Sequence, residues 1–149
     1  MTLPNRWLIA AGLMSATAAL LHLAVIAGGA DWYRFFGAGE ALARADERGS
    51  WTPALITFGI AAVLAIWAAY AFAAAGAIRR LPLMRTALVL ISAIYLGRGL
   101  FVLAPSAFAR PDLSAEFMLS SSLIVLVVGL TYAVGTWQAW SDLSKRKAG

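Results

Sequence analysis

Cysteine is absent from this chain of 149 residues. Its absence excludes disulfide bonds, thiolate catalysis, Cys-ligated zinc and iron–sulfur clusters. The chain has a single histidine and no Glu-x-x-His pair, so the ligands of a ferritin-like metal site or of a haem are missing as well. No Walker loop and no Gly-x-Ser-x-Gly elbow occurs, which removes the usual signatures of NTPases and α/β-hydrolases. We therefore expect no metal site and no cofactor.

Charge is also scarce. Only 13% of the residues are charged and 62% are hydrophobic, whereas soluble domains carry about 25% charged residues. Four apolar stretches each have the roughly 20 residues that a helix needs to cross a bilayer core of about 30 Å. They predict an all-α, polytopic membrane protein, a four-helix bundle in a single domain of residues 1–149, with spans at about 7–29, 53–78, 83–105 and 117–140. The first stretch is longer than the apolar core of a signal peptide, so we expect an uncleaved span.

The net charge of +5 does not indicate a nucleic-acid partner, because the basic residues cluster at helix ends and form no single stripe. Seven of them fall on the side that holds both termini: Arg6, Arg79, Arg80, Arg85, Lys145, Arg146 and Lys147. Four fall on the opposite side: Arg34, Arg44, Arg48 and Arg110. The positive-inside rule then predicts cytoplasmic termini and an outward-facing segment between the first two spans.

That outward segment, residues 31–52, has an amphipathic pattern. Trp32, Phe35, Phe36 and Leu42 approximate one helical face, and charged residues fill the remainder. The pattern predicts an outer interfacial amphipathic helix, which acts either as a plain anchor or as a lid over a binding site. The glycines at 37 and 39 indicate a bend in it or a close approach by a neighbour.

Arg98 is the only charged residue between Arg85 and Arg110 and lies inside the third predicted span, where a buried guanidinium is costly unless it is paired or hydrated. Helical rise places Arg98 and His22 in the same layer, about 8–10 Å below the outer surface. We expect Arg98 to pair with Glu40, or next with Asp31 or Glu116, and the alternative is a purely structural, snorkelling arginine. The predicted ligand-binding residues are Arg98, His22, Tyr95, Glu40, Asp31, Arg34 and Ser121. His22 and Glu40 are the candidates for catalysis.

Four segments carry a resemblance to a family of small four-span bacterial inner-membrane proteins that has no established activity. They are Trp32-Tyr-Arg-Phe-Phe-Gly-Ala-Gly-Glu40, Gly49-Ser-Trp51-x-Pro53-Ala-Leu-Ile, Arg79-Arg80-Leu-Pro82 and Tyr95-Leu-Gly-Arg98-Gly-Leu. The resemblance implies a bacterial source and a compact bundle. In topology alone the chain is similar to the sterol-isomerase and sigma-2-receptor group. That group uses paired carboxylates inside the membrane, and the spans predicted here contain none, so no residue is carried over.

Three functions fit these features. The first is binding of a membrane lipid, an apolar small molecule or an anionic amphiphile in the outer half of the bundle, above a cationic floor at Arg98. The second is a membrane enzyme acting on an isoprenoid or lipid, with His22 and Glu40 or Asp31 moving protons. The third is a structural or assembly partner that packs against another membrane protein or a second copy of itself. The sequence leaves open whether any reaction is catalysed, and the resemblance implies a bacterial inner-membrane location.

Overall fold

The computed structural model describes residues 4–103, 111 and 113–144. Four long helices carry the fold: α1 (Arg6–Gly28), α4 (Thr52–Ala74), α5 (Met84–Gly99) and α6 (Ala115–Gln138). A 3-10 turn at Leu100–Leu103 extends α5. Three short helices complete the described part: α2 (Ala30–Phe35), α3 (Glu40–Glu47) and α7 (Trp140–Ser144). The all-α four-helix bundle is therefore confirmed, and no strand occurs in the residues described.

Local sequence sets the helix ends. The Asn5 side chain caps α1 by accepting hydrogen bonds from Trp7 N and Leu8 N at 3.0 and 3.2 Å. Pro53 lies in the first turn of α4, where its missing N–H costs nothing. Gly76, with φ of 81°, follows the end of α4, which stops at Ala74 and not at residue 78 as predicted. The other predicted spans differ from the helices by one to two residues, except that residues 104 and 105 of the third lie outside the described part.

The four long helices are apolar over their lengths, and in each only 28% of the best 18-residue window is buried inside the protein. Most of each helix surface therefore faces outward, as in Leu20 and Ile124, which are 68% and 66% exposed. In water such surfaces would be unstable, but lipid tails solvate them. The chain is an integral membrane protein with four candidate spanning helices.

The helices form two closely packed antiparallel pairs, α1 with α4 and α5 with α6, and α1 also contacts α6. Glycines permit the close approach of α5 and α6. A Cβ added at Gly99 would lie 2.6 Å from Leu126 Cα, and one at Gly129 would lie 2.8 Å from Leu96 N. These contacts set the register, with Gly99 level with Leu126.

The start of α1 joins the end of α6. The Asn5 amide donates to Gly135 O at 3.1 Å, and a Cβ at Gly135 would lie 2.8 Å from Leu8 Cγ. We call this end of the bundle, with α7 and the α4–α5 connection, the terminal face. The opposite end, which carries α2 and α3, is the loop face.

The segment after α1 folds as two short helices, where the sequence predicted one amphipathic helix. The predicted bend is present: Gly37 and Gly39 have φ of 71° and 106°, a region that few other residues adopt. Tyr33 is fully buried between Val25 of α1 and Ala43 of α3. Gly37 lies against the Phe117 ring at the start of α6. The segment thus packs over the loop face of the bundle.

Candidate functional site

Arg98 lies near the end of α5, and its side chain extends toward the loop face. Its Cα is about level with Leu126, as the Gly99 contact shows, yet its Nη1 donates to Ser122 Oγ at 2.9 Å, about one helical turn nearer the start of α6. The Phe101 ring lies 5.0 Å from the guanidinium carbon on the same side. Arg98 thus snorkels outward, which was the structural alternative considered for it.

The predicted pairing of Arg98 with Glu40 is wrong. Glu40 Oε2 accepts from Arg34 Nε at 2.9 Å, and Glu40 Oε1 accepts from Arg44 Nε at 2.8 Å. Within the described residues no carboxylate forms an ion pair with Arg98. Its partners there are a hydroxyl and an aromatic ring, and neither neutralises a full positive charge.

Arg34 organises a separate ion cluster on the loop face. Its Nη1 is 2.7 Å from Glu47 and 3.6 Å from Asp31, and its Nε and Nη2 bind Glu40. The hydrogen bond from Arg34, followed by the one from Arg44, lowers the pKa of Glu40 to about 2, and the same contact raises the pKa of Arg34. The cluster ties α2 to α3. Three predicted ligand-binding residues, Asp31, Arg34 and Glu40, are therefore engaged with one another.

His22 lies on α1, and its ring binds its own helix. Its Nδ1 donates to Ala18 O at 2.7 Å, because a carbonyl can only accept. No described hydrogen bond joins His22 to Glu40 or Asp31, and a carboxylate with a pKa of about 2 is a weak base. The geometry does not assemble the acid–base pair that the enzyme hypothesis requires.

The serines at the start of α6 divide by helical face. Ser120 donates to Phe117 O at 3.1 Å and Ser121 donates to Met118 O at 3.2 Å, which is the common behaviour of serine inside a spanning helix. Ser122 is 2% exposed and contacts Arg98 instead. The predicted contact residue Ser121 is thus one position away from the serine that meets the guanidinium.

Tyr95 belongs to a buried hydrogen-bond chain in the middle of the bundle. Tyr132 OH donates to Trp67 O at 3.1 Å, so the Tyr132 oxygen accepts from Ser15 Oγ at 2.9 Å. Ser15 has one hydrogen, and its oxygen therefore accepts from Tyr95 OH at 2.9 Å. The chain runs Tyr95 to Ser15 to Tyr132 to Trp67 and takes one residue from each long helix.

Aromatic packing supports this chain. The rings of Tyr95 and Tyr132 stack with centroids 5.5 Å apart, and Trp67 meets Tyr95 edge-on at 5.0 Å. The sequence analysis did not identify Ser15 and Tyr132, although a tyrosine in the middle of a span is a usable signal, since its hydroxyl needs a partner. Tyr95 is consequently part of a packed core and is separate from the Arg98 contact.

Two open grooves lie on the bundle surface. One, of about 560 Å³, runs between α5 and α6 toward the terminal face and includes Val89, Leu96, Thr136 and Trp140. The other, of about 510 Å³, lies between α1 and α4 and is walled mainly by alanines, leucines and phenylalanines. Arg98 and His22 line neither groove. Within the described residues no group of three or more metal-ligating side chains is present.

Fold and site thus define a small integral membrane protein, a four-helix bundle with an intramembrane arginine, a core hydroxyl chain and a charged cap. Comparison of the chain with known protein families, with characterised proteins and with solved structures gives no match in any of the three. The resemblance to small bacterial inner-membrane proteins gains no support from these comparisons.

Proposed function

We propose that this protein binds an anionic amphiphile at the loop-face half of α5 and α6, with Arg98 recognising its phosphate or carboxylate group. The observation that carries the proposal is the Arg98 guanidinium, which lies in a spanning helix without a carboxylate partner in the described residues. An arginine at that depth is stabilised by a counter-charge, and an anionic lipid headgroup supplies one.

The surroundings of Arg98 suit such a ligand. Ser122 holds one nitrogen of the guanidinium, and the remaining donors of its planar fork match the oxygens of a phosphate or carboxylate. Arg98 is exposed on the bundle surface, and so are Ile94, four residues before it, and Leu119, three residues before Ser122, at 53% and 39%. A ligand with apolar chains is therefore favoured over a free anion.

The membrane frame belongs to the same proposal. The terminal face is rich in arginine and the end of the chain is basic, so we assign both to the cytoplasmic side by the positive-inside rule. Both termini then lie in the cytoplasm, and the loop face points outward from a bacterial inner membrane. Single cysteines at Ala45 and Ala77 test this orientation, because an impermeant maleimide applied to intact cells should label only position 45. Labelling of position 77 alone would show that the orientation is the reverse of the one proposed.

An assembly function is the second candidate, favoured by the groove between α1 and α4. Ala61, Ala65 and Ala69 recur there at four-residue spacing and leave a channel into which another helix fits closely. A homo-oligomer or a membrane-protein partner would then occupy that groove without using Arg98.

Native mass spectrometry of the detergent-solubilised protein tests the first proposal. Phosphatidylglycerol and phosphatidylcholine are added to the wild type, Arg98→Ala and Arg48→Ala, the last being a control that removes an equal charge from an exposed residue of the loop face. We expect Arg98→Ala to lose one bound phosphatidylglycerol and Arg48→Ala to lose none. Equal binding by all three proteins would refute the proposal. Asp112 lies outside the described residues, and increased binding by Asp112→Asn would show that this carboxylate competes for Arg98.

A further inference from the structure

A second arginine, Arg85, lies beside the groove between α5 and α6, in contact with Trp140 of its wall. Arg85 lies one helical turn before Val89, and Val89, Ala93 and Leu96 continue on the same face of α5 as one wall of the groove. From Arg85 to Leu96 this face extends about 16 Å along the helix. Ala133 and Trp137 of α6 and Trp140 of α7 form the opposite wall.

Arg85 is fixed at the terminal end of this groove. Its Nη2 donates to Trp140 O at 2.7 Å, and its guanidinium carbon lies 4.3 Å from the centre of the Trp140 ring. Within the part of the chain that the structure describes, its Nε is buried without a hydrogen-bond partner and no carboxylate forms an ion pair with it. The charge of Arg85 is thus held beside the groove and is not neutralised by the part of the protein described.

The groove has a second unsatisfied polar group. Thr136 lines it and is 5% exposed, and its hydroxyl has no partner among the residues described, whereas Ser92 on the opposite wall donates to Leu88 O at 2.7 Å. A hydroxyl left unpaired in an apolar wall is unusual in a folded protein. The Thr136 hydroxyl can therefore bond to a ligand in the groove, on the wall next to the end where Arg85 lies.

We infer that this groove is a second lipid site, which holds one anionic glycerophospholipid from the leaflet at the terminal face. The acyl chain lies along Val89, Ala93 and Leu96, and the phosphate lies at Arg85. Charge complementarity selects the occupant, because the Arg85 guanidinium at this end has no carboxylate partner among the described residues, and indole rings such as the 79% exposed Trp137 favour the headgroup level. The site is independent of Arg98, which lies near the other end of α5.

Photo-crosslinking in vesicles tests the inference. A benzoylphenylalanine replaces Val89, and the protein is placed in vesicles of phosphatidylcholine with phosphatidylglycerol as the minor lipid. Cross-linked phosphatidylglycerol should exceed its bulk fraction about five-fold, since a basic side chain at an anionic membrane surface contributes about 1 kcal/mol. The ratio should fall toward the bulk value in Arg85→Ala and stay unchanged in Arg79→Ala, a matched control that removes an equal charge from the adjoining α4–α5 connection.

Two further measurements serve as controls for the Val89 cross-link. The same probe at Ile66, an exposed residue of α4, should report the bulk ratio, and this comparison needs no substitution at Arg85. Arg98→Ala should leave the Val89 cross-link unchanged, so failure of the loop-face proposal is distinguishable from failure of this one. Bulk ratios at Val89 in the wild type, or equal losses in Arg79→Ala and Arg85→Ala, would overturn the inference.

Discussion

Polar side chains inside the spanning helices find different partners, and the partner decides what each residue can do. His22 binds a backbone carbonyl of its own helix and has no described acid–base partner. Tyr132 bonds both to Ser15 and to a carbonyl of another helix, so it connects elements. Arg98 contacts a hydroxyl and an aromatic ring, and no carboxylate among the described residues neutralises its charge.

The hydrogen bond between Ser15 and Tyr95 predicts the sign of the coupling between substitutions at these two residues. Ser15→Ala leaves the Tyr95 hydroxyl without its acceptor and should cost about 1–2 kcal/mol of unfolding free energy in detergent. Tyr95→Phe should cost less in the Ser15→Ala background than in the wild type, because it removes the stranded donor. Tyr70→Phe is the control and should change stability by less than about 0.5 kcal/mol. Additive losses for Ser15 and Tyr95 would mean that the two hydroxyls are not bonded.

Glu40 gives a prediction for acid pH. Its pKa is about 2 in the folded protein against an ordinary value of 4.5, so its stabilising contribution is complete above about pH 4.5 and is lost as the pH falls toward 2. Thermal unfolding of the wild type and Glu40→Gln should therefore differ at neutral pH and converge through this window. A constant difference across it would show that Glu40 does not titrate in the ion cluster.

At the scale of elements, Gly99 lets α5 approach the backbone of α6. Gly99→Ala should destabilise the protein by about 1–3 kcal/mol, because the new Cβ would lie 2.6 Å from a backbone atom of Leu126 and the helices would have to separate. Gly97→Ala, two residues earlier in the same helix, meets nothing within 4 Å and should be neutral or slightly stabilising. Thermal unfolding in detergent compares them, and equal effects would contradict the packing described.

Composition and periodicity were sufficient to predict the four helices, since a run of about 20 apolar residues has few other solutions. The bend at Gly37 and Gly39 and the close approach at Gly12, Gly129 and Gly135 were also predictable from residue type. Helix ends were less certain, and α4 ended early because Gly76 adopts a positive φ.

The contacts of the site were not predictable from depth alone. Arg98 and Glu40 have the charges for a pair, but Arg34 and Arg44 are near Glu40 in sequence and bind it first. Ser121 and Ser122 lie at nearly the same depth, yet adjacent residues of a helix point about 100° apart and only Ser122 faces Arg98. The register and rotation of the helices depend on how they pack, and packing cannot be read from a single sequence.

For the whole molecule, the two proposed lipid sites lie at opposite ends of the same helix pair. Arg98 extends toward the loop face, and Arg85 lies in the first turn of α5 at the terminal face. In the α1–α4 pair, α4 contains no charged residue, and α1 contains no Lys, Arg, Asp or Glu after Arg6 at its first position. We therefore expect anionic lipid to stabilise the protein mainly through α5 and α6.

The central claim, that Arg98 binds an anionic amphiphile, is tested most directly by the dependence of thermal unfolding on phosphatidylglycerol in phosphatidylcholine-containing micelles. A ligand at one hundred times its dissociation constant stabilises a protein by about 2.7 kcal/mol per site. We predict that phosphatidylglycerol raises the unfolding temperature of the wild type, that Arg98→Ala loses part of this rise, and that Arg98→Ala/Arg85→Ala loses all of it. A rise in Arg98→Ala equal to that of the wild type would contradict the account.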